Sequence, residues 1–350
     1  MHPRVAPAVL LFLSIGATGL WGQQPASVPP PPAPDAPVRS DAIRRNVDLV
    51  NVLFTVVNGR NKAIADLGQG DFRVFDDNVA QEIRFFSRQS DLPLRVGLLL
   101  DTSNSIRQRI QFEQEAAVDF LFNIIRKDKD QAFLMDVDDD PEIVQDFTGD
   151  LDRLRDVIQR QRAGGGTALY DAVYQAAQHL ASQSLPQAGA PLDARSVLVV
   201  ISDGDDNVSR HSRGEALEMA QRAGVVIYTI STSTDWITTD KETQAGNEAN
   251  RKYFKTAGDK VLEQFSTESG GEAFFPYHID DLARSFGNIG DGLRSEYSLA
   301  FVPSAGSPTP GKFHTIRIEV NTKGLRVQAR KGYYAAQSEA AATPQDAPGK

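Results

Sequence analysis

The chain of 350 residues contains no cysteine. Disulfides, thiolate metal sites and a lipidated N-terminal cysteine are therefore excluded. Histidine is scarce as well. Outside the first 26 residues only His179, His211, His278 and His314 remain. His179 falls inside an expected helix and His314 in an expected strand, and no G-x-S-x-G elbow surrounds Ser103, so a serine hydrolase would lack its general base. Long apolar runs are missing with one exception, Ala6 to Leu20, which follows Arg4 and precedes a cleavage region between about Gly22 and Ala26. That pattern predicts a signal peptide over residues 1–26. The run is too short and too poorly flanked for a transmembrane helix, with a retained N-terminal anchor as the alternative. No other stretch approaches spanning length, so the expected product is exported and soluble: periplasmic, cell-surface or secreted, with no membrane span after signal cleavage. Export without cysteine points to a bacterial envelope protein. Positive charge is also in deficit, with 37 Lys and Arg against 46 Asp and Glu and a formal net charge of -9. An acidic surface argues against nucleic acid and anionic lipid as partners and is compatible with a cation site.

With 41% hydrophobic residues the chain can bury a core of one large or two modest domains. The proline-rich stretch from Gln24 to Pro37 cannot pack a core and predicts an extended spacer, assigned to 27–40. Val47 to Val57, Phe72 to Phe75 and Glu82 to Phe86 alternate as strands, giving a small antiparallel N-terminal β segment over 41–91. From about residue 94, strands and helices alternate, the mark of a parallel sheet. Helices are expected at 105–126, 150–162, 168–181, 213–223, 261–269 and 279–294, and strands at Gln131–Val137, Val197–Ile201, Val225–Ser231 and Glu272–Phe275. This predicts a doubly wound, mostly parallel α/β domain over 92–295. Gln244 to Lys260 is expected to be a polar surface excursion. β alternation returns at Tyr297–Val302, Phe313–Val320 and Leu325–Tyr334, a C-terminal β segment over 296–335, and the tail 336–350 has the composition of a disordered segment. Each β flank alone offers too few strands to bury a core, so the two are expected to pair with each other into one composite β-sandwich.

Asp101-Thr102-Ser103-Asn104-Ser105 follows the apolar run Val96 to Leu100 and precedes an amphipathic helix. Alone, such a string reads as a helix cap. Two further segments change that. Gly164-Gly165-Gly166-Thr167 opens a second helix, with glycines that permit positive φ and bring Thr167 close. Val197 to Ser202 is a second apolar strand, ended by Asp203. Open α/β sheets gather such loops at the carboxyl edge of their strands. Hard divalent cations take oxygen ligands of this kind and keep several waters.

This combination resembles the von Willebrand factor type A (VWA) domain and its metal-ion-dependent adhesion site, whose pattern is D-x-S-x-S, then Thr, then Asp. Asp101, Ser103, Ser105, Thr167 and Asp203 match it in order and spacing. The resemblance implies a Rossmann-like fold that holds Mg2+ or Mn2+, with Ca2+ as a third option. In such sites the serine hydroxyls and sometimes the threonine touch the ion while the aspartates act largely through water. A partner protein's Asp or Glu carboxylate then completes the coordination, which implies a non-enzymatic, adhesion-type module. A structural or scaffolding subunit of an envelope assembly, with the metal only stabilising the loops, is the alternative. Glu82 to Phe86, Gln145 to Thr148 and Arg330 to Tyr334 also resemble a bacterial VWA-related family and imply no activity.

Other acidic groups fit less well. Asp136, Asp138, Asp139 and Asp140 lack the Gly and terminal Glu of a calcium loop. Asp205 and Asp206 are expected to be solvated loop charges that can tune the field. A metal phosphohydrolase would need more carboxylate or imidazole ligands than this hydroxyl-rich set supplies.

Overall fold

The computed structural model describes residues 49–335 apart from 90–91, 109, 184–193, 234–254, 277–285, 288, 291 and 305–310. The expected signal peptide, linker, tail and most of the 244–260 excursion lie outside the described residues. So do His278 and most of the first half of the helix expected at 279–294.

Four strands come first: β1 (Val50–Asn58), β2 (Phe72–Asp76), β3 (Val79–Gln81) and β4 (Ile83–Gln89). The α/β unit follows with β5 (Leu94–Asp101), α1 (Ile110–Ile124), β6 (Gln131–Val137), β7 (Ile143–Thr148), α2 (Leu151–Arg160), α3 (Leu169–Gln183), β8 (Arg195–Ser202), α4 (Arg213–Arg222), β9 (Val226–Ser231), α5 (Ala257–Ser269) and β10 (Ala273–Phe274). The chain closes with β11 (Glu296–Phe301), β12 (Phe313–Val320), β13 (Leu325–Ala329) and β14 (Gly332–Tyr334).

The central sheet has the order β10-β9-β8-β5-β6-β7, parallel except for β7. Its parallel strands β5, β6, β8 and β9 are apolar almost throughout because both faces are covered. Val96, Leu98 and Leu100 face one core with Phe120 and Ile124 of α1 and Leu154 and Ile158 of α2. Leu99, Leu198 and Val200 face the other, shared with Val173 of α3, Ala220 of α4 and Phe265 of α5. Helix starts follow from local side chains. Asp150 caps α2, while Ser212 with Glu215 and Thr256 with Asp259 form capping boxes on α4 and α5.

The flanks do pair. One sheet runs β13-β1-β11-β4 and the other β14-β12-β2-β3, so each mixes strands from both ends of the described chain. Their shared core contains Phe54, Tyr297, Leu299 and Phe301 against Phe72, Val74, Ile316 and Ile318. Tyr297 is wholly buried yet satisfied, its hydroxyl donating to the Ile64 carbonyl at 2.8 Å. Three details differ from the expected layout. The N-terminal strands do not form their own antiparallel unit: β1 and β4 are separated by β11, and β2 belongs to the other sheet. Residues 325–334 are two strands in different sheets, because the chain leaves one after Ala329 and enters the other at Gly332. An extra antiparallel edge strand, β7, covers β6.

The α/β unit is inserted into the sandwich, and its two chain crossings lie side by side. Gln89 of β4 pairs with Glu296 of β11, Leu94 of β5 pairs with Arg195 of β8, and Arg195 forms an ion pair with Glu296. Both side chains are 3% exposed. One guanidinium nitrogen also donates to the Leu293 carbonyl at 2.8 Å, whereas Oε2 of Glu296 has no hydrogen bond. Burial pushes the Glu296 carboxyl up to about 7, against the opposing pull of Arg195.

Removing one member of such a pair leaves the other buried without its partner. Arg195→Met is expected to lose about 3–5 kcal/mol in urea unfolding, and Arg195→Met combined with Glu296→Leu to recover most of it. Folded Glu296 holds its proton up to about 7, whereas the unfolded chain releases it near the ordinary value of 4.5. Its contribution is therefore fully present below that window and lost as pH rises through it. The stability gap between wild type and Glu296→Gln should accordingly shrink from pH 4 to pH 8, about the two ends of that window; a gap that widens would contradict the assignment.

Candidate metal centre

The site is built where β5 and β8 end. Asp101 is the last residue of β5 and is fully buried. Its Oδ1 accepts from the Ser103 amide at 2.9 Å, which folds the loop back on the strand, and its Oδ2 accepts from the Ser202 hydroxyl at 2.6 Å. Oγ of Ser103 lies 2.8 Å from Oγ of Ser105, which in turn donates to Oδ2 of Asp203 at 2.9 Å. Four of the five sequence-expected donors are thus joined in one network, Asp101 through the Ser103 amide and the other three through their side-chain oxygens. Asp203 is 7% exposed and Ser103 1%, whereas Ser105 is exposed. The network opens to solvent at Ser105.

Thr167 is brought to the same edge by backbone. The Gly164 amide donates to the Thr102 carbonyl at 2.8 Å and the Asn104 amide to the Gly165 carbonyl at 3.1 Å, so the glycine loop is laced to the serine loop. Gly165 adopts φ +79°, and its two glycine neighbours do not share this requirement. Thr167 is buried, with its amide donating to Oδ1 of Asn207 at 2.9 Å. Among the described residues its hydroxyl makes no hydrogen bond to the other four donors.

Several residues that frame the site carry no sequence signature of their own. Ser202 bridges the two halves, giving a hydrogen bond to Asp101 and accepting one from the Gly204 amide at 3.0 Å. A polar residue closing an otherwise apolar strand was the available signal. Asp139 accepts from the Gly166 amide at 2.7 Å, and the Asp138 carbonyl accepts from the Ala168 amide at 2.7 Å. Two members of the acidic run thereby brace the threonine loop. Asp206 accepts from the Tyr170 amide at 3.0 Å and from the Ser209 hydroxyl at 2.5 Å, holding the start of α3 instead of standing free in solvent.

Electrostatically the site is short of positive charge. Burial, with a smaller contribution from Asp203, pushes the Asp101 carboxyl above its usual range, opposed by hydrogen bonds from Ser103 and Ser202. Burial and then Asp203 and Asp259 do the same to Asp205. Among the described residues neither Asp101 nor Asp203 forms an ion pair with Lys, Arg or His. Two neighbouring buried carboxylates, flanked by hydroxyls and lacking a cationic side chain, fit an oxygen-loving divalent cation.

Residues 96–205 match the family model described as the von Willebrand factor type A domain, and all five donors lie inside that segment. The fold of this unit is VWA-like. VWA domains commonly mediate protein interactions and often bind a metal. Among solved structures the chain is similar to an aerotolerance-related membrane protein from Bacteroides fragilis, at 15% identity over 57% of this chain and 98% of that one, with a TM-score of 0.40. It is also similar to BatB from Bacteroides thetaiotaomicron, at 16% identity over 58% and 100% of the two chains, with a TM-score of 0.42. A von Willebrand factor type A protein from Catenulispora acidiphila shares 11% identity over 84% of this chain and 74% of that one, with a TM-score of 0.45. No curated protein matches the chain. No helix among the described residues is long and apolar enough to cross a membrane.

Behind Asp203 two backbones cross without side chains between them. Gly204, at φ +83°, would drive a Cβ into the Gly258 carbonyl, and a Cβ on Gly258 would meet the Asp203 carbonyl. Gly258→Ala should therefore cost about 1–3 kcal/mol, as overpacking does. Gly214→Ala, whose Cβ would meet nothing nearer than Oγ of Ser212 at 3.9 Å, should be neutral or slightly stabilising. Thermal unfolding of the two variants tests the contrast, and equal melting temperatures would refute the close crossing.

Proposed function

We propose that the chain is a non-enzymatic, metal-dependent protein-binding module of an exported bacterial protein, of the adhesion type. The observation that carries this reading is the oxygen network of Asp101, Ser103, Ser105 and Asp203, uncompensated by a cationic side chain and open to solvent at Ser105. Those four residues and Thr167 would hold Mg2+ or Mn2+, with Ca2+ as a third option. A bound ion would supply an electrophilic position for a carboxylate from an Asp or Glu of the partner. Neutral hydroxyls suit this role because they leave the ion under-neutralised, so an incoming carboxylate gains from binding. Thr167 sits beside the network on a loop laced to the serine loop, where direct ligation would accompany tighter capture.

A non-enzymatic role is supported by where the imidazoles lie. His179 pairs with Asp146, His211 with Asp171 and His314 with Asp77, so none of these three serves Ser103 or Ser105 as a base. The alternative role as a structural subunit is favoured by the way side-chain and backbone hydrogen bonds at the site tie three loops together. Capture separates the two. An adhesive module needs the ion to hold its partner, whereas a scaffold needs it only for thermal stability.

Calorimetric titration of Mg2+ and Mn2+ is expected to show binding by wild type and loss of at least about tenfold in affinity in Asp101→Ala. Thr167→Ala should be milder for the ion yet still weaken capture of a carboxylate-bearing partner from envelope extract. The Asp101→Ala fold should persist at a cost of about 1–3 kcal/mol, since the Ser202 hydroxyl and Ser103 amide lose their acceptor. Equal ion affinity in wild type and Asp101→Ala would remove the physical basis of the reading.

A further inference from the structure

A second group of donors sits on the sandwich, away from the strand ends that carry the oxygen network. Asp76 ends β2, Asp77 begins the turn to β3, and His314 is the second residue of β12. The turn is tight, with Asp77 and Asn78 at φ 45° and 66°, and it is fixed by the Asp77 amide, which donates a hydrogen bond to the Thr315 carbonyl at 2.9 Å. One ligating atom from each of Asp76, Asp77 and His314 lies within 4.8 Å of the others.

We propose that Asp76, Asp77 and His314 form a binding site for a transition-metal ion of the Zn2+ class, separate from the site at the strand ends. Nδ1 of His314 lies 3.1 Å from Oδ2 of Asp77 and 3.7 Å from Oδ1 of Asp76. Tetrahedral donors at Zn–N and Zn–O lengths of about 2.0–2.2 Å stand roughly 3.3–3.5 Å apart, so the two distances bracket what such an ion requires. The other oxygen of each carboxylate is held by the protein. Oδ2 of Asp76 accepts from the Tyr333 hydroxyl at 3.1 Å, and Oδ1 of Asp77 accepts from the Thr315 amide and hydroxyl, each at 2.9 Å. The Tyr333 ring stacks on His314 at 5.3 Å and fixes its plane. Outer contacts of this kind orient ligands toward a common point.

An ordinary His–Asp ion pair accounts for only part of this. It satisfies Nδ1 and Asp77 but leaves Oδ1 of Asp76, a residue 6% exposed, without a hydrogen bond. A cation between the three donors gives that oxygen a partner. Nε2 of His314 is buried without a hydrogen bond in both accounts and does not distinguish them. One imidazole nitrogen with two carboxylate oxygens, and room for a water, suits Zn2+ over Mg2+, which prefers oxygen donors in an octahedron.

The untagged full chain, in excess Mg2+ to fill the strand-end site, is titrated with Co2+ while visible absorption is followed, and with Zn2+ by calorimetry. The expected result is a saturable Co2+ spectrum and matching Zn2+ binding. Asp77→Asn, which keeps the Oδ1 acceptor for Thr315 at a side chain 44% exposed, preserves the fold. That variant and His314→Gln should both weaken Zn2+ by more than about 100-fold, since even outer contacts are worth about 10–100-fold. Asp101→Ala should bind Zn2+ as wild type does. Absence of saturable Zn2+ binding, or equal affinity in wild type and Asp77→Asn, would overturn the proposal; loss of Zn2+ binding in Asp101→Ala alone would reassign the ion to the strand ends.

Discussion

The arrangement rests on the buried contact between Arg195 and Glu296. An inserted domain must begin and end at neighbouring points of its host, and here those points are the end of β4 and the start of β11, paired at Gln89 and Glu296. Arg195 opens the central strand β8 and reaches across to that junction. Without the contact, two polar side chains would stand unpartnered in a low-dielectric seam between the central sheet and the sandwich. Other polar contacts follow the same seam. Thr55 donates to the Gly292 carbonyl, Gln328 and Asn61 donate to Glu272, and the Arg222 guanidinium lies 4.2 Å from the Tyr334 ring centre. The seam is polar and specific, in contrast to the apolar cores on either side.

Much of the α/β unit was legible because its signals are local. Apolar runs ending in Asp101 and Asp203 announce buried parallel strands and the points where they end. Helix caps such as Ser212 with Glu215 can be read within four residues. The sandwich was harder. Nothing between Phe72 and Phe86 tells a reader that β2 and β4 belong to different sheets, since that choice is made by β11 and β12 more than 200 residues away. The short β3 lies below the length at which alternation is decisive, and the partly exposed β7 does not alternate buried with exposed residues.

The same distinction applies to the site. The five expected donors could be proposed from residue type and order, whereas their supports could not. Asn207 reads as a loop residue and becomes the acceptor for the Thr167 amide only when two loops meet. Asp139 belongs to an acidic run that suggests a cation, yet its carboxylate serves a glycine amide. The network at Asp101 is an instance of a wider rule in this chain: buried oxygens are spent on backbone amides wherever a loop needs shape.

The position of β5 has a mechanical meaning. Its first residue adjoins the sandwich, its last residue is Asp101, and along its length it is bonded to β6 on one side and β8 on the other. A load applied at the Asp101 end and resisted at the sandwich would run along this strand. It would strain both hydrogen-bonded ladders in shear, many bonds at once, instead of opening them singly from an edge. The strand that links the Asp101 loop to the sandwich is thus buried along nearly its whole length.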